Sequence, residues 1–142
     1  MKPNIIDYIS KLESYKTAIK NYHWSSSCMS EHRLMDDIAS SVSDNQDEVA
    51  EISQGLFGQI KKNELKPTKY EISDSRKLLE DIISDTKNFY KTIDGDIFIG
   101  LRSVIEAFLG DLNKFQYLLT LCLKEDVKRR LKNKLNESRF FL

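Results

Sequence analysis

Ile5, Tyr8, Leu12, Tyr15, Ile19 and Tyr22 recur at steps of three and four residues. An α-helix turns that spacing into one continuous apolar face, and a strand does not. The rhythm returns in Met35, Ile38, Val42, Val49, Ile52 and Leu56, then in Leu78, Leu79, Ile82, Ile83, Phe89, Tyr90 and Ile93. A fourth run holds Leu101, Val104, Ile105, Phe108, Leu112, Phe115, Leu119 and Cys122. No segment alternates with the two-residue period of a half-buried strand, so the chain reads as all-α.

The breaks between these runs set the topology. Helix one spans about residues 4–23, and Ser25-Ser26-Ser27 ends it and offers capping hydroxyls to the next helix. Helix two closes near Gly55 and Gly58, and residues 59–71, with Lys61, Lys62 and Pro67, form a polar connection. Helix three starts near Ser73. Asp94-Gly95-Asp96 makes a tight turn with Asp96 as a cap for helix four. Two helices, a longer connection and two more helices make a four-helix bundle with one crossover. Residues 1–123 form that bundle as one domain, and residues 124–142 form a basic amphipathic tail.

The charge balance argues for no partner across the whole chain, because Lys plus Arg and Asp plus Glu both number 22. The tail differs. It has seven Lys or Arg against three acids, which leaves it +4 and the first 123 residues −4. Val127, Leu131 and Leu135 are four apart, predicting a short fifth helix, and Phe140-Phe141-Leu142 is an apolar end that is costly to leave in water. Two cysteines are too few for a disulfide scaffold, and Cys122 belongs to an apolar run. With no apolar span of membrane length and no signal-peptide pattern, the expectation is a reducing, cytoplasmic setting and no membrane partner.

Helix two has a second stripe: His32, Asp36, Asp47 and Glu51. With residue 32 at zero and about 100° per residue, Asp36 falls near roughly 40°, Asp47 near roughly 60° and Glu51 near roughly 100°. The apolar set of the same helix falls between roughly 200° and 300°. The stripe therefore points away from its own bundle. It is either a solvated charged face or part of a site completed by another subunit. Asp36 and Asp47 are separated by a rise of about 16 Å, so one metal cannot use both ends of the stripe on one helix. Both pairs can serve one site only when they come from different subunits, most simply in an antiparallel twofold pair.

These residues resemble the Dps family (DNA-binding proteins from starved cells), the ferritin-like mini-ferritins. The family pattern is His-Trp at the end of the first helix, then His-x3-Asp, ten intervening residues and Asp-x3-Glu. Here it reads His23-Trp24, His32 and Asp36, and Asp47-Glu48-Val49-Ala50-Glu51-Ile52. The segment Asp111-Leu112-Asn113-Lys114-Phe115 is similar to the family's late-helix pattern, and the resemblance spans about residues 4–123. The chain departs from the pattern in a shorter stretch between Trp24 and His32 and a short connection between helices two and three.

The resemblance implies a ferritin-like bundle assembled as a hollow dodecamer, with a di-iron or mono-iron ferroxidase site at the twofold interface. His23, Asp47 and Glu51 of one subunit would meet His32 and Asp36 of its partner, with Trp24 alongside. Fe(II) would be oxidised, preferably by hydrogen peroxide, and stored as ferric mineral; carboxylate and imidazole ligands suit that ion. Two other readings stay open: a catalytically inactive ferritin-like assembly protein, and a DNA-compacting module. For the latter, Lys128, Arg129, Arg130, Lys132 and Lys134 would contact phosphates, or else simply lie solvated on a packed helix. By the same resemblance Asp94 and Asp96 would line an iron-entry pore; a DG turn with a helix cap explains them equally well.

Overall fold

The computed structural model describes residues 1–140, without the side chain of Phe140. Phe141 and Leu142, and with them the Phe140-Phe141-Leu142 apolar end, lie outside the described residues. Four α-helices make up the fold: α1 (Pro3–Ser25), α2 (Met29–Phe57), α3 (Ser75–Tyr90) and α4 (Ile99–Phe140), with a 3₁₀ turn at Asp96–Phe98 before α4. Among the described residues there is no strand, and no helix is long and apolar enough to cross a membrane.

Pro3 opens α1, where a missing N–H costs nothing. α2 ends at Gly58, whose φ of 93° lies in the left-handed region that glycine occupies without strain. The Asp74 side chain caps α3 by accepting from the Lys77 N–H at 2.7 Å.

α1 packs on α2 and α3, and α4 packs on both of those in turn. The pairs Asn4–Thr92, Tyr8–Thr86 and Tyr15–Asp85 run α1 and α3 antiparallel, and Lys20–Asp36 and Asn45–Tyr8 do the same for α1 and α2. α2 and α3 are therefore parallel, and residues 58–74 must travel the length of the bundle to join them. They run beside α1, where the Ser10 and Ser14 hydroxyls each accept a backbone N–H at 2.8 Å, from Lys66 and Thr68. The expected crossover is thus present, held by two small polar side chains on one face of α1.

The core is built from the stripes read above: Ile5, Leu12, Met35, Ile38, Leu78, Ile82, Leu101, Ile105 and Leu112 are all fully or almost fully buried. Burying each such side chain contributes about 1.5–3 kcal/mol, before the entropy of ordering is set against it.

Four local expectations are corrected. Cys28, not the serine run, precedes α2, and it has no side-chain cap bond; the Ser26 hydroxyl instead accepts the Cys28 N–H at 3.4 Å. Ile93 is buried beyond the end of α3 rather than inside it. Asp96 is the first residue of the 3₁₀ turn and caps nothing with its side chain; Gly95, φ 106°, makes the corner. The tail is not a fifth helix but the continuation of α4, a single helix of 42 residues. No glycine or proline lies between Gly110 and Phe140, so the two strongest helix breakers are absent from that stretch.

Candidate metal centre at the α1–α2 corner

His23 is in the last turn of α1 and His32 in the first turn of α2. The three-residue corner between the helices brings their rings face to face, with centroids 3.7 Å apart and planes 20° from parallel. Each ring also bonds the other residue's backbone. His23 Nδ1 lies 2.5 Å from the His32 carbonyl oxygen, and His32 Nδ1 lies 2.6 Å from the His23 carbonyl oxygen. A carbonyl oxygen only accepts, so both Nδ1 atoms donate. In the neutral ring Nε2 then has a free lone pair, which is the tautomer a metal-binding histidine needs.

Asp36, one turn beyond His32, is exposed and ion-paired with Lys20 of α1 at 2.7 Å. The Lys20 ammonium holds its carboxyl below the usual aspartate range, with a smaller contribution from the two nearby imidazoles. His23 and His32 are thus brought together within one chain, with Asp36 one turn away and turned to Lys20. The side chains of Asp47 and Glu51 are exposed on α2, in no ion pair among the described residues, about 16 Å and about 22 Å beyond Asp36 along the helix. No group of three His, Cys, Asp or Glu side chains close enough to hold a metal occurs among the described residues. Trp24 projects beside the corner, 74% exposed.

The remaining candidates are spread over the surface. Asp94 accepts the Gly95 N–H at 3.0 Å and approaches Arg102 at 3.7 Å, and Asp96 is exposed at the 3₁₀ turn. Lys128, Arg129, Arg130, Lys132 and Lys134 are all exposed on the distal part of α4, where Arg129 and Arg130 both pair with Asp126.

Sequence reasoning passed over Glu31. It is 8% exposed, its Oε1 has no hydrogen-bond partner among the described residues, and it sits beside Tyr22. Burial first, and then this carboxyl, pushes the Tyr22 hydroxyl up to about 12. The signal was present: on the same helical wheel Glu31 falls near roughly 260°, inside the apolar stripe of α2. Asn45 and Gln46 were passed over for the same reason, and both are buried against α1, Asn45 on the Tyr8 hydroxyl and Gln46 on the Ile9 carbonyl oxygen.

The chain matches no protein-family model, no curated protein and no solved structure.

Proposed function

We propose that this chain is a Dps-like, ferritin-like iron protein that oxidises Fe(II) at sites completed between subunits and stores the ferric product in a hollow shell. The observation behind this reading is the reciprocal pair of Nδ1–H···O=C bonds, which presents two imidazoles with Nε2 free for ferrous iron. His23, His32 and Asp36 form one subunit's share, and Asp47 and Glu51 of a second subunit form the other. Because the two histidines stack within one chain, this reading assigns His23 to the share of His32 and Asp36, whereas the resemblance implies that it joins Asp47 and Glu51. As substrate, two Fe(II) would each give one electron to one hydrogen peroxide, whose O–O bond breaks and which takes two protons from solvent to leave as two waters. Carboxylates favour the ferric product through their charge.

The competing reading is a catalytically silent assembly protein. It is favoured by the Lys20–Asp36 pair, which occupies one of the ligand side chains with an internal cation.

Anaerobic Fe(II) titration followed by a stoichiometric peroxide pulse separates the two. The ferroxidase reading expects saturable binding and fast growth of ferric absorbance. It also expects Asp47→Ala and Glu51→Ala to abolish oxidation while the oligomer persists, and His32→Ala to weaken Fe(II) binding by roughly tenfold or more. Absence of saturable binding would leave the silent assembly protein.

A further inference from the structure

α2 and α4 enclose an open groove of about 520 Å³. Val104, Phe108 and Phe115 supply apolar wall, and Asp37, Asp44 and Glu48 supply carboxylates that are in no ion pair among the described residues. No lysine, arginine or histidine lines it. Asn45 also lines the groove. It is only 4% exposed, and its Oδ1 has no hydrogen-bond partner among the described residues. That amide is turned to the Tyr8 hydroxyl of α1, so the groove's open polar groups are its carboxylates, which face no cation of their own chain across it.

The distal part of α4 has the matching chemistry. Val127, Leu131 and Leu135 are 57%, 57% and 64% exposed, far more than isolated core-type residues need to be. Around them stand Lys124, Lys128, Lys132, Lys134 and Arg139, all exposed and in no ion pair among the described residues. The same helix cannot reach its own groove. α4 is unbroken from the groove wall at Phe115 to Leu131, a rise of about 24 Å that carries the tail away along the helix axis.

We infer that the basic distal half of α4 docks in the α2–α4 groove of a second copy of this chain. Charge complementarity selects this occupant: a helix with an apolar stripe and basic flanks enters a groove with an apolar wall and acidic margins. This interface uses none of the corner residues and stands whether or not the chain oxidises iron.

The test uses the full chain in two isotopic forms, mixed at low salt and coupled with a zero-length carbodiimide. Mass spectrometry is expected to find Lys128, Lys132 or Lys134 of one form joined to Asp44 or Glu48 of the other. Sedimentation is expected to show self-association that falls with salt. Either Lys128→Glu/Lys132→Glu/Lys134→Glu or Asp44→Lys/Glu48→Lys alone should weaken it by roughly tenfold or more. Mixing those two variants should restore it, with helical circular dichroism unchanged throughout. The inference is overturned by a monomer at every concentration, by links confined to one isotopic form, or by association indifferent to both sets of changes. It is equally overturned when a random-sequence DNA duplex takes up the tail and no self-association occurs.

Discussion

Across the α1–α3 seam the Tyr8 and Thr86 hydroxyls share a buried hydrogen bond of 3.0 Å, and Tyr15 donates to Asp85 at 2.5 Å. Lys11 adds an ion pair to Asp85 at 3.5 Å, and the crossover closes over this side with Tyr70 set edge-on against Tyr15 and bonded to Asp81. The α2–α4 seam of the same bundle is different: no ion pair spans it among the described residues, and its two grooves, of about 570 and 520 Å³, are larger than the 330 and 180 Å³ grooves on the α1–α3 side. One seam has its polar groups paired within the chain. The other leaves Asp37, Asp44 and Glu48 along a groove without a cation of their own chain paired to them.

The largest expected effect tests whether the α2–α4 side depends on apolar packing alone. Leu112 is fully buried, and Leu112→Ala should lower the unfolding free energy in urea by about 2–5 kcal/mol. Leu131→Ala, on the exposed half of the same helix, should stay within about 0.5 kcal/mol when measured at a dilution that keeps the chain monomeric. Equal losses from the two would erase the distinction between the halves of α4.

Tyr8→Phe probes the polar seam. It strips a partner from both Thr86 and Asn45, and a cost of about 1–3 kcal/mol is expected from the groups left unpaired. Asp44→Asn on the open side should stay within about 0.5 kcal/mol.

Alkali should act on the α1–α3 side first. Burial, the leading cause in each case, raises the Tyr8, Tyr15 and Tyr70 hydroxyls above the ordinary tyrosine range, and Tyr22 is pushed up to about 12. A raised folded pKa favours the protonated form in the native state. That stabilisation is complete below the unfolded value of 10.0; the share of Tyr22 disappears as pH climbs through about 12, and those of Tyr8, Tyr15 and Tyr70 at still higher pH. Tyrosinate absorbance and helical circular dichroism should therefore change together between those values. Full helicity retained after all six tyrosines have ionised would refute the assignment.

The smallest effect belongs to the corner. Lys20→Ala should leave the urea midpoint where it is, because the Lys20–Asp36 pair is exposed. If iron is bound there, the same change should strengthen Fe(II) binding by freeing Asp36, a shift that titration would read.

How much was legible in advance differs between the fold and the site. The helical period identified all four elements, because a stripe at three- and four-residue spacing is a local property of the chain. The same wheel, applied to polar as well as apolar residues, would have placed Glu31 and Asn45 inside the stripe, with Gln46 just beyond its edge near roughly 320°. It also put Asp47 and Glu51 on the exposed face, where they are found. The run of α4 through Lys124 was legible too, in the absence of any helix breaker, although the change of composition there suggested a boundary.

The sequence by itself determined the helices, their apolar faces, the long crossover and the contrast between a −4 bundle and a +4 tail. These follow from spacing and composition, which need no knowledge of what packs on what. Only the tertiary structure decided that His23 and His32 stack and bond each other's carbonyls, that Lys20 takes Asp36, and that α1 binds the crossover through Ser10 and Ser14. Each of these joins residues on different elements. Such contacts depend on the relative placement of the helices, which burial of all the apolar faces together imposes and no single helix contains.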